Sequence, residues 1–286
     1  MREQIISWSH SKLVDFEQCR FKAKLKHIDR IPEPERPLPP GRQEHANDRG
    51  TRIHDNCEQY VRGQIDVLTP EADKHFGPQL DLLRVLYGEG LVSLEGEWGM
   101  SRDWEPHSWG GQWDEISAEA LADLGMEPNI KATKLPPRGR DQDIAKVGKK
   151  FYIWVSPWLR LKLDALVFHD EKTATVIDYK SGKKFGNEIK HGEQLQLYQL
   201  TTFLRYPLLE TIYAELWYLD QPDGNNITSI KYTRPQGLKF RSNFDRRGSK
   251  LTNNTDWAPN PNRFSCRWCP YGPWEGGTGD CSVGVK

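Results

Sequence analysis

TATVIDYKSGKKFG, Thr173 to Gly186, runs from a short apolar segment straight into a lysine-rich turn punctuated by glycine. Ala174 to Asp178 reads as a buried strand of β-branched character. Residues two apart on a strand share a face, so Asp178 and Lys180 project together and Tyr179 points the other way. Just upstream, Leu159, Leu161, Leu163 and Ala165 alternate with polar neighbours, which marks a half-buried strand carrying Asp164 on its polar face with Arg160 and Lys162. The short turn HDEKT makes the two strands a hairpin, with Asp164 on one arm and Asp178 with Lys180 on the other. Alone, an acid and a lysine at a strand end would be an ordinary solvated ion pair. Two carboxylates that can hold a hard cation, beside an ammonium that can steady developing charge, are instead what metal-dependent phosphodiester cleavage needs.

The chain around this hairpin has 286 residues, 36% of them hydrophobic and eleven of them Trp, with mean hydropathy −0.76. That length supports a large core. No apolar run approaches the roughly 18 residues of a membrane span, and MREQIISWSHSK lacks the apolar core of a secretory signal, which places the protein in the cytoplasm. Forty basic and forty acidic side chains cancel, so only local charge can point to nucleic acid.

SHSKLVDFEQCRFKAKLKHI is predicted as one serine-capped helix with Leu13, Phe16 and Phe21 as its stripe and Cys19 near its end. A proline-rich loop follows. DRGTRIHDNCEQYVRG forms a second helix through Ile53, Cys57, Tyr60 and Val61, with His54 beside that stripe. Residues 77–89 and 118–125 are predicted helices, and SLEGEWGM a strand. Asn129 to Lys150 carries seven basic residues against two acidic ones and is expected to be a mobile loop. FYIWVS, TIYAELWYLD and ITSIKYT are further strands. NEIKHGEQLQLYQLTTFLRY is the clearest helix, with Leu197, Leu200 and Leu204 as its buried side, and a basic helical stretch runs from Gly237 to Leu251. No P-loop of the GxxxxGK[ST] form is present.

Four motifs occur in the order seen in one family: GTRIH ending at His54, LKLDAL at Asp164, DYKSGK at Asp178 and Lys180, and QLQLY with Gln194 and Tyr198. In this the chain resembles the PD-(D/E)XK nucleases, in their RecB-like exonuclease branch. The resemblance implies an α/β restriction-endonuclease-like core, a central mixed sheet flanked by helices, in a single domain over 1–286. Within it, 1–45 would carry Cys19, 46–235 the nuclease core and 236–286 the basic helix and cysteine-rich end. It implies His54, Asp164, Asp178 and the Tyr179 carbonyl as ligands of Mg or Mn, and Lys180 as the catalytic lysine. Gln194 and Tyr198, on one helical face, would orient that lysine or the DNA. Glu97, with Glu95 close behind, is the candidate extra acid.

Cys19, Cys57, Cys266, Cys269 and Cys281 are too few for a disulfide scaffold. One cysteine before the core and three after it resemble the members, such as the AddB nuclease domain and the CRISPR adaptation nucleases, in which four cysteines hold a 4Fe-4S cluster. Cys19, Cys266, Cys269 and Cys281 are the matching set. Eleven residues separate Cys269 from Cys281, longer than the usual family spacing. Thiolates suit zinc as well as iron–sulphur clusters, and Cys57 reads as a small core residue. DNA contacts are expected from Lys183 and Lys184, the Lys131–Lys150 segment, and the helix with Arg241, Arg246 and Arg247. The implied activity is hydrolysis of DNA, exonucleolytic on single strands or ends. A structure-specific endonuclease, a DNA-binding scaffold that keeps the cluster, and a zinc-stabilised adaptor are the competing readings. The family admits homo-oligomers and recombination or CRISPR partner proteins.

Overall fold

The computed structural model describes residues 4–35, 38, 41, 43–141, 143–182, 184, 186–219, 221, 226–274 and 276–285. Its elements, in chain order, are α1 (His10–Gln18), α2 (Arg20–His27), α3 (Ala46–Val61), α4 (Pro70–Gly88), β1 (Val92–Met100), β2 (Pro106–Ser108), β3 (Gln112–Ile116), α5 (Ala118–Asp123), β4 (Ile130–Ala132), β5 (Ile144–Val147), β6 (Lys150–Val155), β7 (Leu159–Phe168), β8 (Thr173–Lys180), α6 (Glu188–Arg205), β9 (Thr211–Tyr218), β10 (Ile227–Thr233), α7 (Arg234–Leu238), α8 (Arg241–Thr252) and α9 (Arg263–Cys266). They divide into two compact units, residues 1–96 with 162–286 and residues 97–161.

The first unit is built on a mixed sheet in the order β10-β9-β8-β7-β1. β7 and β8 form the expected antiparallel hairpin, with Ala165 opposite Ile177 and Phe168 opposite Ala174. β8 and β9 are parallel, Thr173 opposite Thr211 and Lys180 opposite Tyr218, so the connection between them must cross over, and α6 is that crossover. One face of the sheet, including Ala165, Val167, Ile177 and Tyr179, packs on Ile53, Cys57 and Val61 of α3 and on Phe76 and Leu80 of α4. Asp178 and Lys180 alternate onto the other face, where α6 lies. α6 is buried over most of its circumference, Leu195, Leu197, Leu200 and Phe203 being fully enclosed, while Leu204 is only half-buried.

The second unit holds a sheet in the order β3-β6-β5-β4. Two short strands occupy the basic segment expected to be a mobile loop: β5 pairs with β6 antiparallel and with β4 in parallel. Their outward residues, Lys131 and Lys146, are exposed, while Ile144 and Ala145 are fully buried. The turn between β5 and β6 uses Gly148 at φ +61°, a conformation L side chains rarely adopt.

Other elements depart from the sequence reading in detail. The predicted opening helix is two helices, because Cys19 at φ −161° and ψ 117° is extended and ends α1 as it begins α2. α4 starts at Pro70 rather than at 77: Thr69 caps it, and Pro78 is accommodated inside the helix. The basic stretch from Gly237 to Leu251 is likewise divided into α7 and α8. No described helix is long and apolar enough to cross a membrane.

Candidate active site

One step beyond the Ala165–Ile177 pair stand Asp164 and Asp178, facing each other at the open end of the hairpin. The backbone N–H of Tyr179 donates to Asp164 Oδ2 at 2.6 Å, which fixes that carboxylate against β8. The Tyr179 ring turns into the core, in edge contact with the His54 ring, centroids 5.7 Å apart. His54 Nδ1 lies 3.3 Å from Asp164 Oδ1. Burial pushes the imidazole down, yet the hydrogen bond and charge of Asp164, with the charge of Asp178, outweigh it and hold His54 above its ordinary pKa.

α3 reaches this corner because Gly50 lets it close in. A Cβ there would meet Ser181 Oγ at 3.0 Å, and Arg49 Nη1 donates to the Ser181 carbonyl at 3.0 Å. The glycine four residues before His54 therefore sets how near the helix comes to the loop after β8.

Asp178 is 4% exposed. Burial, only partly offset by the Lys180 ammonium, raises its carboxyl to about 6. Lys180 Nζ lies against Asp178 Oδ2 and donates to Gln194 Oε1 at 2.9 Å. The amide of Gln194 reaches back to Asp178 Oδ1 at 3.4 Å and donates to Tyr198 Oη at 2.7 Å. Burial holds the Tyr198 phenol protonated, well above its usual range. Gln194 thus fixes Lys180 and Asp178 together, one helical turn from the hydroxyl that orients it. His54, Asp164, Asp178, Lys180, Gln194 and Tyr198, predicted from separate motifs, form one connected network.

A model of the PD-(D/E)XK nuclease superfamily matches residues 7–274. The chain belongs to that superfamily. None of the curated proteins matches it. A solved structure described as "Crystal structure of SSO0001" is similar with a TM-score of 0.37 and 14% identity, over 100% of this chain and 91% of that one.

Two histidines beside the nuclease network had not been predicted. His191 Nδ1 is 3.0 Å from Tyr218 Oη, and burial together with Lys180 and Lys190 lowers its pKa to about 4. It lies three residues before Gln194, on the helical face already marked by Gln194 and Tyr198, so the same spacing could have found it. His10 is 7% exposed, lies 3.9 Å from Glu193, and is lowered to about 4 by burial and by Lys190, Arg247 and Lys180. No local signal links residue 10 to this corner.

Among the candidate extra acids, Glu95 pairs with Lys162 and Glu97 belongs to the second unit. Lys184 lies over the Tyr218 ring at 5.6 Å, and Arg241 is exposed at the start of α8. Lys183 falls outside the described residues.

Cys19, Cys266, Cys269 and Cys281 line one pocket, and no cysteine is in a disulfide. Backbone N–H groups donate to two of the four sulphurs. Asn260 donates to Cys19 at 3.5 Å and Asn262 to Cys266 at 3.4 Å. Burial raises the thiols of Cys269 and Cys281. Cys57 is in the main core, where burial pushes its thiol to about 12. Among the described residues, no three His, Cys, Asp or Glu side chains stand close enough to form a finished metal-ligand set. At the carboxylates, Lys180 and the Tyr179 N–H occupy the oxygens a cation would otherwise claim.

Proposed function

We propose that this nuclease hydrolyses DNA phosphodiester bonds with Mg or Mn, acting as an exonuclease on single strands or ends. The observation that carries the reading is the convergence of His54, Asp164 and Asp178 around Lys180, with Lys180 held by Gln194. His54, the two carboxylates and the Tyr179 carbonyl are the groups that would hold the cation. When bound, it would polarise the phosphate and lower the pKa of a water. The chain's own part is positional. Tyr179 N–H aims Asp164, the buried setting of Asp178 makes its charge costly until a cation arrives, and Gln194 holds the lysine ammonium beside Asp178, where it would steady charge on the phosphate.

The second part of the proposal is a 4Fe-4S cluster on Cys19, Cys266, Cys269 and Cys281, with zinc as the alternative. Its support is that the four cysteines line one pocket and that N–H donors reach the sulphurs of Cys19 and Cys266. Such donors stabilise thiolate charge and are among the groups that set cluster potentials.

The test is digestion of single-stranded DNA labelled at either end with Mn supplied, comparing wild type with Lys180→Ala. Progressive loss of label by wild type alone is the expected result, and which label leaves first gives the polarity. Cleavage of circular single strands would replace the exonuclease with a structure-specific endonuclease. Intact DNA of every form with wild type would leave a binding scaffold. A brown colour in the protein as purified is expected of the iron–sulphur cluster, and a colourless zinc protein would remove the cluster.

A further inference from the structure

Beside the cysteine pocket, and sharing Cys19, Pro259 and Asn260 with it, opens a cleft of about 390 Å³. Four cations line it: Arg20 at the start of α2, and Arg246, Arg247 and Lys250 of α8. Among the described residues of its wall Glu17 is the one acid, and Arg247 holds it through both oxygens at 2.6 and 2.7 Å. Arg20 is paired with Asp256 at 2.9 Å, and its guanidinium lies over the Phe16 ring at 6.0 Å. Arg246 and Lys250 differ from these two. They are four apart on the exposed side of α8, and neither has an acidic partner among the described residues. Of the remaining wall, Phe16, Ala258 and Pro259 are apolar, beside Cys19 and Asn260.

We infer that this cleft binds the phosphodiester backbone of a single DNA strand whose scissile bond lies at Lys180. The inference rests on the nuclease reading and adds a second place where the enzyme grips its substrate. The volume falls in the ~300–1,000 Å³ range of small-molecule pockets, enough for a nucleotide unit. Unpaired cations above an apolar wall are the combination that tracks a single strand, phosphate on the charges and sugar or base on the wall. The cleft is also wired to the active site. Arg247 Nη2 donates to Glu193 at 3.1 Å, and the next residue, Gln194, holds Lys180. Cleft and catalytic lysine are thus linked through consecutive residues of α6, Glu193 and Gln194. The cleft would add two phosphate contacts, at Arg246 and Lys250, that cleavage itself does not use.

The experiment measures binding of a labelled oligothymidylate of about 20 nucleotides, longer than the ~4–16 a single-strand groove occupies, to the full chain with Ca in place of Mn. Arg246→Glu/Lys250→Glu is expected to weaken binding about tenfold or more. Loss of two phosphate contacts should also lower the slope of log K against log salt by about 1.4, at ~0.7 per contact. Arg246→Gln/Lys250→Gln, which keeps both exposed positions uncharged and guards against misfolding, should show the same change of slope with a smaller loss of affinity. Affinity and slope unchanged in both variants would overturn the inference. So would displacement of the oligonucleotide by millimolar inorganic phosphate, which would mark an isolated anion site. The nuclease reading is judged apart from this, by wild-type cleavage against Lys180→Ala. Cleavage with unaltered variant binding discards the cleft and keeps the nuclease. Weakened variant binding without wild-type cleavage keeps the cleft and discards the nuclease.

Discussion

The carboxylate corner and the cysteine pocket are both gatherings of potential ligands, yet they are held in opposite ways. The corner stands on β7, β8, α3 and α6, backed by a large core that runs from Ile53 to Trp217. The Tyr179 N–H holds Asp164, and Lys180 with Gln194 holds Asp178, so these side chains are set by the protein itself. The cysteine pocket stands on the junction between α1 and α2, the four-residue α9 and the loops that follow it. The core at its back is three buried residues, Leu25, Tyr271 and Cys281, with Phe21, Ile31 and Cys269 packed around them. So small a cluster gives little cooperative stability. The difference teaches what packing alone accounts for: the first site stands on a large core, whereas the second gathers residues distant in the sequence on a small one.

Breaking the corner should therefore abolish chemistry and spare the fold. Lys180→Ala and Asp164→Asn are each expected to lower cleavage about 10²–10⁴-fold, the usual range for a positioned acid–base or charge-stabilising group, with an unchanged far-UV spectrum. A variant that loses structure along with activity would erase the contrast.

Breaking the pocket should do the reverse. Cys281→Ser is expected to bleach the protein and lower its melting temperature by about 5–10 °C, the scale of a few kcal/mol in a chain of this size. Residual cleavage should persist at low temperature. A colourless variant that melts like wild type would mean the sulphurs do not tie the ends together.

The corner also holds protons in particular places, and that can be read from stability alone. His10 keeps its neutral form down to about 4 in the folded protein, whereas an unfolded histidine titrates near 6.5. Between those values the unfolded chain binds more protons, so stability from this group is full above pH 6.5 and is lost as pH falls toward 4. Denaturant unfolding of wild type should lose about 1–2 kcal/mol from His10 between pH 7 and pH 5. His10→Gln should remove that slope, and an equal slope in the variant would assign it elsewhere.

The smallest effect sharpens the distinction among the cysteines. With its thiol pushed to about 12 by burial, Cys57 should resist alkylation at neutral pH in the folded protein. Cys57→Ala should leave the colour intact, and bleaching by it would place Cys57 among the ligands.

What the sequence determined by itself is everything that repeats over a few residues. The alternation of Leu159 to Ala165 put Asp164 on its face, the two-residue step put Asp178 beside Lys180 and sent Tyr179 inward, and the four-residue step aligned Gln194 with Tyr198. Side-chain direction on a strand or helix is a local property of the backbone, so these placements were legible. Tertiary structure alone decided the rest. It bent the chain at Cys19, where extended backbone between two helices satisfies a contact some 240 residues away, Asn260 N–H to the Cys19 sulphur. It drew β4 and β5 out of a segment that reads as a charged loop, because strands of three and four residues are too short to show a period. It set His10 next to Glu193 and Lys180, and Arg20 across a cleft from α8. Such pairings are chosen by burial and charge between elements distant in the chain, and no window of neighbouring residues carries that information.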